Sequence, residues 1–295
     1  MAFAWLKGHG TENDFVLLPD PDGSVHGAID AAFAAALCNR RTGIGADGVL
    51  RVIRTDALRA IDSSIPASDA EWFMDYLNAD GSPVEMCGNG IRVFAKYLID
   101  EGMVEAGGTS RLRGTVTIGT RAGDREVRLE PNGDFSVRMG VPEVRETSKV
   151  GANGRTWEAL DIRTGNPHAV AFVDDLADAG HLTEEPEYDT GNYPDGVNVE
   201  FVVRHGVEQI AMRVHERGSG ETRSCGTGAC AAAVAAMLAD GNAPSATGAS
   251  ATYRVDVPGG TLYVTWEPDE DANPGELVLH GPAAIVARGE LEWLS

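Results

Sequence analysis

The sequence predicts an α/β (α+β) protein made of two similar halves, each with strands around one central helix. Three observations lead there. Short apolar runs bounded by turn residues outnumber helical patterns, as in a strand-rich chain. A stretch of the first half aligns without a gap on a stretch of the second. Each copy contains Cys-Gly-x-Gly, followed by a helical pattern. The 295 residues leave room for two domains of about 150 residues each.

The elements follow in order. Residues 15–18, 48–53 and 71–77 read as strands, rich in branched and aromatic side chains. Residues 116–129 read as a hairpin around Ala122-Gly123-Asp124, and 135–140 as a further strand. In the second half the strands are 168–173, 197–203 and 210–216, with a hairpin over 253–266 around Gly259-Gly260. Helical patterns cover 28–38, 91–101 and 228–238. The stretches 54–70 and 267–275 read as loops.

The repeat aligns 74–98 with 212–236. It places Cys87 on Cys225, Gly88 on Gly226 and Gly90 on Gly228. Upstream, 13–18 matches 166–172 at a slightly larger offset, each beginning with asparagine. The boundary falls near 131–150. This gives a first half, 1–140, carrying Cys87 and a second, 141–295, carrying Cys225.

Composition narrows the function. Lys and Arg number 24 against 45 Asp and Glu, a formal charge of −21, which repels phosphate backbones and anionic lipid surfaces. Nucleic acid and membrane are therefore excluded as partners, a small molecule is the expected one, and a homodimer is left open. Lys7, Lys96 and Lys149 are the only lysines, so a Schiff-base cofactor has few anchors. Four scattered cysteines without a C-x-x-C pair fit neither a disulfide framework nor a metal centre. The reading is a cytoplasmic protein with reduced thiols, no metal and no cofactor. The loop 43–48, Gly-Ile-Gly-Ala-Asp-Gly, lacks the strand–turn–helix setting of a nucleotide site.

The two Cys-Gly-x-Gly turns carry the chemistry. Glycine lets backbone approach a ligand, and the first amides of a helix point outward with a favourable dipole for an anion. A thiol at that position is biased toward thiolate. A pseudo-twofold duplication sets two such helix starts face to face. A carboxylate held there has one sulfur on each side of its α-carbon, the geometry for inverting a stereocentre. Cys38 and Cys230 read as structural.

Seven blocks then resemble the diaminopimelate epimerase family: 7–15, 41–48, 78–82, 85–92, 165–170, 196–201 and 216–231, in matching order. The resemblance implies two domains, each a β-barrel-like sheet wrapped around a central helix, with the active site in the cleft between. It implies cofactor-independent interconversion of LL- and meso-diaminopimelate, in lysine and peptidoglycan precursor biosynthesis. Carried over by position, Cys87 and Cys225 become the acid/base thiols, and the amides of Gly88, Asn89, Gly226 and Thr227 hold the carboxylate at the reacting centre. Asn13, Asn78, Asn166, Asn198, Glu216 and Arg217 match substrate-binding positions, and His168 and Glu216 match residues that tune the thiols.

The chain departs from the pattern at Thr11 and Glu12, and at Gly48, where some members carry a substrate-touching glutamine. Singly, Asn78 and Asn166 also fit turns, and His168 a packed core residue. Three other functions are weighed: a proline or hydroxyproline racemase, a redox pair of Cys87 and Cys225, and a pure binding module. The first leaves the many polar side chains without a second substrate end to hold, and the last leaves the paired cysteines unexplained.

Overall fold

The computed structural model describes residues 2–104, 114–271 and 273–292. The chain divides into two compact units, Met1–Val137 with Pro282–Ser295, and Arg138–Gly281.

The first unit contains β1 (Ala2–Gly10), β2 (Asn13–Pro19), α1 (Ala31–Cys38), β3 (Gly48–Arg54), α2 (Thr55–Ile61), β4 (Trp72–Asn78), α3 (Gly88–Asp100), β5 (Thr115–Gly119), β6 (Arg125–Leu129) and the start of β7 (Phe135–Gly140). The second contains β8 (Glu143–Ala152), β9 (Arg155–Arg163), β10 (Pro167–Phe172), β11 (Glu187–Tyr188), β12 (Asn198–Gly206), β13 (Gln209–Glu216), β14 (Gly220–Thr222), α4 (Gly226–Asp240), α5 (Pro244–Thr247), β15 (Ala251–Val257), β16 (Gly260–Pro268) and β17 (Pro274–Gly281). The last strand, β18 (Ala284–Glu292), returns to the first unit and pairs antiparallel with β1.

Strand pairing establishes the duplication that the sequence only outlines. The first unit runs β18-β1-β2-β3-β4-β5-β6-β7, and its successive pairings are antiparallel, antiparallel, parallel, antiparallel, parallel, antiparallel, antiparallel. The second runs β8-β9-β10-β12-β13-β15-β16-β17 with the same succession. In each unit the long helix touches most strands of its own sheet, as a wrapped sheet requires. α4 is buried continuously from Gly226 to Met237, and its alanines let the strands approach closely. α3 is wider, burying Ile91, Val93, Phe94, Tyr97 and Leu98. Each such side chain contributes about 1.5–3 kcal/mol.

Several expectations change. A division at 140/141 assigns the C-terminal strand to the second half, whereas β18 lies on β1 in the first. The reason is the repeat itself: β18 fills the place on β1 that β8 fills on β9. The stretch 54–70 contains α2, which buries only Thr55 and Leu58 and so shows no apolar stripe. The helices expected at 91–101 and 228–238 begin earlier, taking Gly88 and Gly226 into their first turns. Among the described residues, no helix is long and apolar enough to cross a membrane.

Candidate active site

In the first unit, Cys87 caps α3. Its Sγ accepts the Gly90 N–H at 3.4 Å, and its carbonyl accepts the Ile91 N–H at 2.9 Å. The amides of Gly88 and Asn89 thus precede the helix's own ladder. Cys87 Sγ also lies 3.8 Å from Asn13 Oδ1, as a donor. Asn13 stands at the start of β2, and its Oδ1 also accepts from Asn89 Nδ2 at 3.2 Å. Asn78, the last residue of β4, accepts from the Tyr76 hydroxyl at 3.0 Å and donates to Ser82 Oγ at 3.2 Å. Gly48 lies opposite Asn78 in the ladder. A Cβ there would stand 2.6 Å from both Leu77 O and Tyr76 Cε2. The Tyr76 ring therefore fills the space that a longer residue at 48 would need.

The second unit repeats the cap. Cys225 Sγ accepts the Gly228 N–H at 3.3 Å and its carbonyl accepts the Ala229 N–H at 2.9 Å. Gly226 and Thr227 hold the places of Gly88 and Asn89. Thr227 Oγ1 lies 3.4 Å from Cys225 Sγ. The surroundings differ from those of Cys87. Cys225 is 4% exposed, and burial, then the Glu216 and Glu200 carboxylates, push its thiol well above the ordinary range. Glu216, the last residue of β13, hydrogen-bonds the thiol and the Thr222 hydroxyl, and burial raises its carboxyl to about 7.

His168 does not meet the thiol directly. Its Nδ1 lies 2.7 Å from Glu200 Oε1 and its Nε2 lies 2.9 Å from Asn166 Oδ1. Both ring nitrogens face oxygens, so the ring is held from both sides. Glu200 in turn lies under the first turn of α4, where a Cβ on Gly228 would approach Oε1 to 2.5 Å. Asn198 accepts the Arg217 N–H at 2.9 Å, and Arg217 Nη1 donates to Asp195 O at 2.7 Å. Glu216 ends its strand and Arg217 lies beyond it, which removes the alternation that would point neighbours apart.

Thus the first unit gathers Cys87, Gly88, Asn89 and Asn13 around one helix start, with Asn78 at the end of a neighbouring strand. The second gathers Cys225, Gly226, Thr227 and Glu216, with Glu200, His168 and Asn166 linked in that order. Glu200 and Asp47 are the residues that sequence reasoning misses. Glu200 has a signal: it lies two residues after Asn198 on one strand, hence on the same face. Asp47 accepts from Asn13 Nδ2 at 2.8 Å, a contact between residues far apart in sequence. Among the described residues, no three His, Cys, Asp or Glu side chains are grouped to hold a metal ion.

A family model described as diaminopimelate epimerase matches residues 5–144 and 161–286. A diaminopimelate epimerase of Streptomyces coelicolor is 52% identical over 295 residues, spanning 99% of this chain and 96% of its own length. One of Thermobifida fusca is 45% identical, spanning 99% of this chain and 98% of its own. Among solved structures, a Bacillus anthracis phenazine biosynthesis protein of the PhzF family superposes with a TM-score of 0.67 at 14% identity, over 99% of this chain and 100% of the other. A hydroxyproline epimerase of Agrobacterium vitis gives 0.63 at 15% identity, over 98% and 92%. These two likenesses are of fold alone.

Proposed function

The chain belongs to the diaminopimelate epimerase family, and from that premise we propose that Cys87 and Cys225 are the acid and the base of its reaction. The chain is a diaminopimelate epimerase, an isomerase acting on a small amino acid in lysine biosynthesis. The observation that supports the thiols is their shared role as helix caps: each sulfur accepts the amide three residues on, at the start of its unit's central helix.

One thiolate takes the α-proton, becoming a thiol, and the C–H electron pair passes toward the substrate carboxylate. The other thiol then gives its proton to the opposite face of the α-carbon and is left as thiolate. No electrons leave or enter, so the two sulfurs supply both proton steps without a cofactor. In the reverse direction the roles exchange. The amides of Gly88, Asn89, Gly226 and Thr227 hold the carboxylate where negative charge gathers, which is where fixed dipoles lower the barrier. Glu216 and His168 with Glu200 set how firmly Cys225 keeps its proton. Asn13, Asn78, Asn166, Asn198, Glu216 and Arg217 contact the rest of the substrate. Its two ammonium and two carboxylate groups need acceptors and donors of these kinds. The expected site of action is the cytoplasm.

Exchange of the α-proton in deuterated water tests this reading. LL-diaminopimelate should exchange and epimerise with the parent chain, and both should cease in Cys87→Ala and Cys225→Ala without loss of fold. Full turnover in either variant would refute the two-thiol mechanism.

A further inference from the structure

Four side chains of the first unit form a directed chain of hydrogen bonds. Arg92 Nη2 donates to Asn89 Oδ1 at 2.9 Å, Asn89 Nδ2 donates to Asn13 Oδ1 at 3.2 Å, and Asn13 Nδ2 donates to Asp47 Oδ2 at 2.8 Å. A guanidinium can only donate and a carboxylate can only accept. The two ends therefore dictate which way both amides point. Asn89 and Arg92 are fully buried and Asn13 nearly so, which raises the cost of a reversed amide. Asp47 is itself fixed, since its Oδ1 accepts from Arg40 Nη2 at 2.6 Å.

Cys87 meets the middle of this chain. Its sulfur has the Gly90 N–H on one side, which favours thiolate, and the Asn13 carbonyl oxygen on the other, which favours S–H. The other charged groups linked to this cluster in the first unit are Asp14, on Arg40, and Lys7, on Asp14.

We propose that Asp47 is a positioning residue for Cys87: by holding the Asn13 amide with its oxygen toward the sulfur, it keeps Cys87 in the proton-carrying form. Its catalytic meaning rests on the reading of Cys87 as an acid/base thiol, because that form is the one Cys87 needs when it acts as the acid. The asparagine in the matching place of the second unit, Asn166, just before β10 as Asn13 begins β2, uses its oxygen on His168 Nε2. The duplication has therefore kept the residue and changed the partner of its oxygen.

The test is the pH profile of Cys87 alkylation by iodoacetamide, read on the Cys87 peptide by mass spectrometry. Cys38, Cys225 and Cys230 are buried, so Cys87 is the accessible thiol. Asp47→Ala removes the acceptor of the Asn13 NH₂ and leaves Asn89 Nδ2 alone to hold the oxygen, so the amide turns its NH₂ to the sulfur in part of the molecules. The midpoint of the profile should move down by roughly half to one pH unit. Asp47→Asn keeps one oxygen for the two donors at that place, Asn13 Nδ2 at 2.8 Å and the Asp14 N–H at 3.2 Å, so it should hold the midpoint close to the parent's. Asp47→Ser, too short to reach the Asn13 amide, should act as the alanine does and serves if that variant fails to fold. In an Asn13→Ala background neither the alanine nor the serine should move the midpoint. An unmoved midpoint for either in the parent background overturns the proposal. So does an equal shift with and without Asn13, which would mean that the charge of Asp47 acts directly. Alkylation requires no turnover, so this result stands apart from the Cys87→Ala epimerisation assay that tests the reading itself.

Discussion

Glu200 Oε1 lies 2.7 Å from His168 Nδ1, and neither side chain is exposed to solvent. The pair spans two adjacent parallel strands, β10 and β12, so it joins the sheet under α4 as well as serving the site. Glu200 Oε2 is buried and has no hydrogen-bond partner among the described residues, so the carboxylate depends on His168. Removing one member of such a pair leaves the other buried alone, which typically costs about 3–5 kcal/mol. Glu200→Ala should therefore lower the unfolding free energy by about 3 kcal/mol in urea titration. Glu200→Gln, which keeps an oxygen for His168, should lose clearly less. An alanine variant within about 1 kcal/mol of the parent would show that the pair does not hold the fold.

The two Cys-Gly-x-Gly turns should respond differently to the same substitution. A Cβ on Gly228 would lie 2.5 Å from Glu200 Oε1 and 3.3 Å from Cys225 Sγ, and the buried carboxylate oxygen is held in place by His168 Nδ1 at 2.7 Å. On Gly90 the nearest atoms lie at 3.4 Å, on side chains of Cys87 and Leu50. Gly228→Ala should thus cost about 2–3 kcal/mol through overpacking, while Gly90→Ala should stay within about 1 kcal/mol as helix propensity offsets crowding. Thermal unfolding of the two variants compares them directly. Equal losses would mean that Glu200 does not set the constraint.

These turns were the most legible part of the molecule, because a repeated cysteine before two glycines stands out in any alignment of the halves. The strands around them were less so. β1 is invisible to a period-two reading because its inward positions include Gly8 and Gly10. A Cβ at Gly8 would be 2.6 Å from Val93 Cγ1, and one at Gly10 would be 2.9 Å from Arg92 Nη2. The closeness of α3 removed the very side chains that announce a strand. β8 is mostly exposed and its pairing slips between Val144 and Thr147, although Asn153-Gly154 marks its hairpin with β9. Within the site, the residues that touch a thiol through one contact were readable from their blocks. Asp47, which acts through Asn13, depends on a tertiary contact that no local pattern encodes, and Glu200, which acts through His168, is marked only by sharing a strand face with Asn198.

Glu216 predicts a pH dependence of stability. Burial holds its carboxyl protonated up to about 7, against an ordinary 4.5. Between those values the folded chain keeps a proton that the unfolded chain releases. This contribution is fully present below the unfolded value and is lost as pH rises through the folded one. Across that window the loss amounts to at most roughly 3 kcal/mol. Glu216→Gln removes the titrating group. Urea midpoints measured near pH 4.5 and near pH 8 should differ more in the parent than in the variant, with the parent weaker at the higher pH. Identical slopes would mean that Glu216 ionises normally in the folded chain.

The turn before Asn13 offers a stabilising substitution. Thr11 and Glu12 connect β1 to β2 as a two-residue turn closed by the Gly10–Asn13 pair, and both have left-handed φ, 48° and 62°. Such a turn favours glycine or asparagine, and another residue there costs about 1 kcal/mol or more. Thr11 is buried, so replacing it would also remove packing. Glu12 is exposed, and its N–H donates to His9 Nδ1 at 3.3 Å. Glycine keeps that N–H and removes the strain, though it gives back part of the gain through a freer unfolded chain. Glu12→Gly should raise the unfolding free energy by about 0.5 kcal/mol, seen as a higher urea midpoint at unchanged slope. The thiol chemistry should be preserved, because Asn13 keeps its bonds to Asp47 and Asn89. A lower midpoint would mean that the Glu12 side chain contributes more than its backbone strain costs.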